Sequence, residues 1–245
     1  MKLSCVIPAN NESECIERVI GALVSAFKRQ SIDYEIVVVN DNSSDCTGAI
    51  IDRISRSNSR IRAVHRSKDP GVGSAVRAGI ENAGGDAICI VMGDGSDEPD
   101  DVMRLFEKLQ EGYDLVYGSR FMEASRVYDY PFLKLAANRI ANNLVRLLFW
   151  MLDERDITNA FKIYRKEVIQ AIQPIESTEF NIALELPLKA QLKGFRRAAV
   201  AVRWHGRSSD VSKFSVFKMA RPYVWTLIKL WCLMVSRSFS RTRFL

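Results

Sequence analysis

"AICIVMGDGSDEPDDVMRLFEKL", residues 87–109, holds the transition on which the fold turns. Residues 87–92 form an apolar run of strand length, and "PDDVMRLFEKL" reads as a helix. Between and around them, Asp94, Asp97, Glu98, Asp100 and Asp101 place five carboxylates within eight positions. Proline suits the first turn of a helix and acids there complement its dipole, which accounts for Asp100 and Asp101. Asp94 follows the strand directly and precedes that helix, so it is the candidate for a metal or diphosphate contact. Asp97 lies between the two roles.

The same alternation extends in both directions. "LSCVIP" (3–8) is an apolar strand, after which Ile16, Val19, Ile20, Leu23 and Phe27 recur at helical spacing. "YEIVVVN" (34–40) is a β-branched strand, followed by the turn "DNSSDCT", where Ser44 or Asp45 is placed to cap a helix carrying Ile50, Ile51 and Ile54. "IRAVH" (61–65) is a third strand, "DPGVGS" opens a helix running to "AGGD", and "YDLVYGS" (113–119) is a fifth strand. Near-continuous apolar strands between amphipathic helices imply an α/β fold with a mostly parallel sheet covered on both faces. Ligands of such sheets bind beyond the carboxyl ends of the strands. The polar residues after each strand, around Glu12, Asp41, 68–73, Asp94 and Arg120, are therefore expected to converge.

Past residue 120 the strict alternation stops. Residues 131–152 read as a long amphipathic helix with Leu133, Ala137, Ile140, Leu144, Leu148 and Met151 along one stripe. "AFKIYRKEV" reads as a short strand into a helix, 180–193 as another helix and "RAAVAVRW" as a late strand. With no internal repeat or linker, the chain divides into one domain, 1–215, and a C-terminal amphipathic helical extension, 216–245.

The 245 residues can bury a full core, and 47% hydrophobic with 26% charged residues is a globular composition. Five widely spaced cysteines without a CxxC pair, two of them (Cys5 and Cys89) inside strands, read as buried free thiols of a reducing compartment. With two histidines a zinc site is not expected. "MKLSCVIPANNE" lacks a basic region followed by an apolar stretch, and no uncharged apolar run reaches membrane-spanning length. A cytoplasmic location is the expectation. Charge is uneven: residues 196–245 hold 11 Lys/Arg against one acid, Asp210, a net of +10, whereas residues 1–195 carry −4.

No GxGxxG follows the first strand, and neither a P-loop nor a GxSxG elbow is present. What remains is a carboxylate-rich mouth on a parallel sheet. Carboxylates repel bare phosphates, so such a mouth suits a diphosphate bridged by Mg²⁺ or Mn²⁺, held by one or two carboxylates and phosphate oxygens.

"CVIPANNESECIERVI", "EIVVVNDNSSDCT", "GVGSAVRAGIENAGGD", "VMGDGSDEPDD", "DLVYGSRF" and "ITNAFKIYRKEV" occur in the order and spacing of family-2 glycosyltransferases. The chain resembles that family, whose fold is GT-A with a Rossmann-like sheet, over residues 3–215. "RWHGRSSDVSKF" (203–214) makes it most similar to the dolichol- or polyprenyl-phosphate mannose synthase branch. The resemblance implies that Pro8, Ala9 and Glu12 line the nucleotide pocket. It implies that Asp41 binds base or ribose, and that Gly71 and Gly73 let the backbone approach the nucleotide. Asp94 matches the last Asp of the family's DxD metal motif, with Ser96, and Asp97 nearby, as assisting groups. Arg120, Arg139, Arg207 and Lys213 match basic positions that in the synthases face phosphates. Four departures stand out: Met92 at the first DxD position, Asn10 where Tyr is common, Asn40 where the first Asp of "DDGS" is common, and Asp210 in place of a Gly.

The function so implied is inverting transfer of a sugar from a nucleotide-diphosphate donor, of GDP-mannose or UDP-glucose type, to a polyprenyl or dolichyl phosphate. A family-2 transferase acting on a sugar hydroxyl is the alternative; it needs a carboxylate base, for which Asp156 is the candidate. A non-catalytic membrane module with a degenerate metal site and a nucleotidyltransferase are the readings from other classes. The tail "FSVFKMARPYVWTLIKLWCLMVSRSFSRTRFL" reads either as a helix packed on the domain or as an interfacial helix on anionic lipid. The latter makes the enzyme peripheral on the cytoplasmic face of a membrane. No nucleic-acid motif accompanies the charge.

Overall fold

A computed structural model describes residues 1–151, 153–206 and 216–242. Its strands are β1 (Leu3–Ala9), β2 (Tyr34–Asp41), β3 (Ile61–Arg66), β4 (Ala87–Ile90), β5 (Leu115–Ser119), β6 (Arg126–Tyr128), β7 (Lys162–Arg165), β8 (Arg197–Ala201) and β9 (Arg203–His205). The helices are α1 (Ile16–Arg29), α2 (Thr47–Ser57), α3 (Val72–Glu81), α4 (Pro99–Gln110), α5 (Phe132–Leu148), α6 (Lys166–Ala171), α7 (Ile182–Leu192) and α8 (Val216–Thr242).

Seven strands form one sheet in the order β3-β2-β1-β4-β7-β5-β8. Every neighbouring pair is parallel except those of β7, which runs antiparallel to both β4 and β5. The apolar runs carry burial on both faces: β1 is buried along its whole length. Cys5 and Ile7 point into a core shared with α1, α2 and α4, while Val6 points into the opposite core with α3, α6 and α7. Cys5 and Cys89 are buried free thiols on neighbouring strands in register, as expected from their strand positions.

Three features differ from the periodicity. "RAAVAVRW" is not one strand: β8 ends at Ala201, and β9 leaves the large sheet to pair in parallel with β6, which the sequence pattern does not reveal. The long helix buries only the end of its expected stripe, where Leu148 is half-buried and Met151 buried, and otherwise turns a neighbouring face inward. Ile140 is 70% and Leu144 49% exposed, whereas Asn142, Val145, Phe149 and Met151 are buried. Asn142 earns its interior place by hydrogen bonding: Nδ2 donates to Thr158 Oγ1 (2.9 Å) and Oδ1 accepts from Thr158 N (3.2 Å). A count of apolar side chains cannot see that contact. Finally, α8 packs on the domain through Tyr223, Leu227, Leu230 and Met234 but leaves Val224, Trp225, Ile228, Trp231 and Leu233 exposed.

The "DNSSDCT" turn resolves in favour of Asp45. Its carboxylate accepts the Thr47 N–H (2.9 Å) at the start of α2, while Ser44 N–H is tied to Asn11 Oδ1 (2.7 Å).

Candidate active site

Six parallel strands end on one edge of the sheet, and the loops that follow them touch in sequence across it. Asp41, the last residue of β2, is buried. Its Oδ2 accepts the Gly71 N–H (2.7 Å), its Oδ1 is ion-paired with Arg66 Nη1, and its carbonyl accepts Asn10 Nδ2 (2.6 Å). Arg66 ends β3 one residue past the apolar run, so only its position after a strand pointed to it. Gly71 and Gly73 do permit a close approach, but to the chain itself. A Cβ on Gly71 would lie 2.4 Å from Thr178 O, and one on Gly73 2.6 Å from Glu179 O. The Ser74 N–H donates to Thr178 O (3.1 Å), and this packing brings Glu179 beside Asp41. Burial, then the Asp41 charge, raises the Glu179 carboxyl above its ordinary range. Glu179 is a residue that reading along the chain missed, because it belongs to no strand end.

Pro8 and Ala9 close β1 and are buried. Gly93 crosses them so closely that a Cβ there would meet Pro8 O at 2.9 Å. Glu12 N–H donates to Thr47 Oγ1 (2.8 Å), and its Oε2 lies 3.5 Å from the Cys15 thiol, which also reaches Gly93 O (3.3 Å). Burial, reinforced by Glu12 and Asp94, pushes the Cys15 thiol up to about 11, so it stays protonated beside this mouth.

The five carboxylates have separate employments. Gly95 (φ +75°) turns the chain, and Asp94 Oδ1 accepts the Ser96 N–H (3.0 Å) with the carboxylate half-exposed. Asp97 is buried and its Oδ2 accepts the Met92 N–H (3.0 Å). Burial raises its carboxyl to about 7, with Asp94 and Asp101 adding to the rise and the Met92 N–H and Arg120 opposing it. Glu98 lies 3.1 Å from His205 Nε2, and Asp100 is paired with Arg29 (2.5 Å). Asp101 does more than start α4: it is fully buried, accepts the Arg203 N–H (2.7 Å) and bonds Arg104 (2.9 Å). With His205 N–H on Ser96 O (3.1 Å) and an isolated bridge between Asp97 and Trp204, the acidic turn is stitched along its length to β9.

On the other side stands Arg120. Its Nε and Nη2 form a fork onto Asp156 (2.7 and 2.9 Å), and its backbone N–H donates to the same carboxylate (3.0 Å). Asp156 is wholly buried. Burial opposes the charge on Arg120, yet Asp156 outweighs it and holds the guanidinium firmly protonated. Around it stand Phe121, Tyr130 and Trp204, with ring centres 5.5, 5.6 and 5.7 Å from Cζ. Arg139, exposed on α5, lays its guanidinium on the other partner of this cluster, 4.7 Å from the Phe121 ring. Thus Arg120 and Arg139, 19 positions apart in sequence, share one aromatic residue. Arg207 and Lys213 lie outside the described residues; β9, which leads toward them, ends at His205 beside Glu98.

A divalent cation fits this edge in one way. Asp94 offers a half-exposed carboxylate, while Asp97 is committed to Met92 N–H and Ser96 is buried. Met92 supplies a thioether, which hard cations do not select. Among the described residues no three His, Cys, Asp or Glu side chains form a ready-made cage. A cation here would take most of its ligands from the ligand phosphates and water, the usual habit of Mg²⁺.

An open, mostly parallel sheet with an acidic turn facing a basic, aromatic flank is the layout of a GT-A glycosyltransferase. The chain matches the model of Glycosyl transferase family 2 over residues 4–173, and it belongs to that family. It is 26% identical to the dolichol-phosphate mannosyltransferase of Pyrococcus furiosus, an alignment covering 94% of this chain and 73% of the relative. It is 30% identical to the polyprenol monophosphomannose synthase of Mycolicibacterium smegmatis, over 86% of this chain and 80% of the relative. Among solved structures, the glucosyl-3-phosphoglycerate synthase of Mycobacterium tuberculosis in complex with Mn²⁺ and UDP-glucose superposes with a TM-score of 0.69. That likeness spans 94% of this chain and 78% of the other at 20% identity, and it is a likeness of fold.

Proposed function

We propose that this glycosyltransferase moves a hexose, with inversion, from a nucleotide-diphosphate sugar to a polyprenyl or dolichyl phosphate. The names of the two curated relatives support that acceptor class. The observation that carries the choice against a sugar hydroxyl is the state of Asp156. A hydroxyl needs a general base within hydrogen-bond reach. Asp156 is buried and its carboxylate is engaged by three N–H groups of Arg120. An ionised phosphate needs no base; it needs cations that hold it in line with the anomeric carbon. Arg120 and Arg139 are those cations, joined in this reading by Arg207 and Lys213. The acceptor oxygen attacks the anomeric carbon from the face opposite the departing nucleoside diphosphate.

On the donor side Pro8, Ala9, Glu12 and Asp41, with Gly71 and Gly73 shaping the wall, receive the nucleotide. Asp94, whose carboxylate the Ser96 N–H orients, would hold the Mg²⁺ or Mn²⁺, and the bound cation would neutralise charge on the leaving diphosphate.

The lipid acceptor gives the outward faces a purpose. α5 and α8 contain basic residues and no acids in their sequences, and both leave large apolar side chains in water, with Trp150 77% and Trp225 69% exposed nearby. Among the described residues no helix is long and apolar enough to cross a membrane. The protein therefore works, in this reading, as a peripheral enzyme on the cytoplasmic face of a membrane. The division into 1–215 and 216–245 then sets the catalytic domain, with α5 on its membrane side, against an extension whose helix α8 serves both as packing and as membrane contact.

The test is incubation with labelled GDP-mannose, UDP-glucose and related donors plus a polyprenyl phosphate. Label is expected in the lipid, abolished by a chelator and restored by Mn²⁺ or Mg²⁺. Label entering only hydroxyl acceptors, or none with any donor, overturns the proposal.

A further inference from the structure

The central antiparallel strand begins with a lysine that is completely buried. Lys162 Nζ donates to the carbonyls of Ile157 (2.8 Å), Asn159 and Ala183 (3.2 Å). An ammonium has three N–H donors and no acceptor, so all three are used on three carbonyls. Two of those carbonyls belong to the turn that follows Asp156; the third lies in the first turn of α7. Around the ammonium stand Asp156, Glu154 and Arg120 as the charged groups, with the Tyr117 ring centre 5.4 Å away.

The turn it grips is the one that aims Asp156. Glu154 Oε1 accepts the N–H groups of Arg155 and Asp156 (2.9 Å each), Asn159 Nδ2 donates to Gly118 O (2.7 Å), and Asp156 accepts the Arg120 fork. Burying a cation without a carboxylate in direct contact is costly. Burial indeed pushes the Lys162 ammonium down to about 7, with Asp156 and Glu154 drawing it up. A leucine or methionine would fill the same space without that cost, so the turn's carbonyls are what the ammonium is suited to hold.

We propose that Lys162 is a positioning residue for the acceptor half of the reaction: by clamping the carbonyls of Ile157 and Asn159 to α7, it fixes the turn through which Asp156 orients Arg120. The inference deepens the proposed function and rests on Arg120 serving the acceptor.

The experiment is a double-mutant cycle of Lys162→Met and Asp156→Asn in the full chain, read by transfer kinetics, nucleoside diphosphate binding and thermal unfolding. Lys162→Met is expected to lower kcat about 30-fold or more while leaving the Kd for the nucleoside diphosphate within about twofold. The double variant is expected to be no slower than Asp156→Asn alone, because both changes release the same guanidinium. A folded Lys162→Met variant with kcat within threefold of wild type overturns the proposal. So do rate losses that multiply, or a nucleotide Kd that worsens in step with kcat. If Lys162→Met does not fold, Lys162→Gln, which keeps two donors, carries the same cycle with an intermediate loss. If the wild type transfers nothing to polyprenyl phosphate, the proposed function falls by itself. The Lys162 inference is then judged on unfolding alone, where less-than-additive Tm losses uphold it and additive ones sink it.

Discussion

At the scale of single residues, the pairing of Arg120 with Asp156 alters what mutation can tell. Replacing Asp156 by Asn lowers activity whether the carboxylate is a base or a holder of Arg120. It also breaks a buried pair, with an expected stability loss of about 3–5 kcal/mol. Arg120→Lys separates the readings, since it keeps the charge and loses the two-pronged geometry. We expect a loss of about 30-fold in transfer, roughly 2 kcal/mol in the transition state, seen in acceptor-saturation kinetics. A rate near wild type would return Asp156 to candidacy as a base. Asp41 and Arg66 carry a second expectation. An ionised carboxylate only accepts hydrogen bonds, so Asp41, held by Arg66, suits a base whose central Watson–Crick group is an N–H, as in guanine and uracil, and not one where it is a bare ring nitrogen, as in adenine and cytosine. Guanosine or uridine diphosphate should bind at least about tenfold more tightly than adenosine or cytidine diphosphate by calorimetry, and Arg66→Leu should narrow the gap. The places of Asp94, Asp41 and Arg120 on one edge of the sheet were legible because each lies at or just after the end of a parallel strand. Glu179 and Lys162 were not, because their importance arises from contacts between segments far apart in sequence.

At the scale of elements, the first two strands and the turn before β4 are pinned by one carboxylate. Glu35 accepts Lys2 Nζ (2.6 Å), Ser4 Oγ (2.6 Å) and the Gly84 N–H. Burial alone would raise its pKa, but these donors outweigh it and bring the carboxyl from 4.5 down to about 2. A carboxyl with a depressed folded pKa stabilises the fold above its unfolded pKa and loses that contribution as pH falls through the folded one. Thermal stability should therefore fall between about pH 4.5 and pH 2, and Glu35→Gln should flatten that limb of a Tm-against-pH profile. Unchanged steepness would remove Glu35 from the account. The strand and helix positions of this region follow from periods of two and 3.6 residues, which local burial imposes. The direction of β7 does not, since an apolar run reads alike in either sense; neither does β6, three residues long with both end residues exposed.

At the scale of the molecule, the outward apolar faces of α5 and α8 make a claim about location. Ile140→Glu with Leu144→Glu on α5, or Trp225→Glu with Ile228→Glu on α8, changes side chains already in water. Each pair should leave Tm within a few degrees. Each should weaken co-sedimentation with anionic vesicles about tenfold or more, and wild-type binding should decline with salt as basic side chains are screened. Vesicle binding indifferent to all four substitutions would remove the membrane from the reading. The exposure of α5 was invisible in its stripe, because the side chain that anchors the helix inward is the polar Asn142.

By itself the sequence determined the order of the strands and helices apart from β6 and the break between β8 and β9, and which polar residues follow the strands on one edge of the sheet, because each is a consequence of local burial pattern and strand-end position. Tertiary structure decided the rest: the antiparallel insertion of β7, the stitching of the acidic turn to β9, the engagement of Asp156 by Arg120, and the face α5 turns to water. These depend on which distant groups find each other when the chain closes, and a hydrogen bond or ion pair between remote residues leaves no periodic trace in either partner. The acids of residues 94–101 show the division plainly. Their abundance could be read from the chain, but that all five are bound to the protein's own side chains and amides, with Asp94 left half-exposed at the mouth, could not.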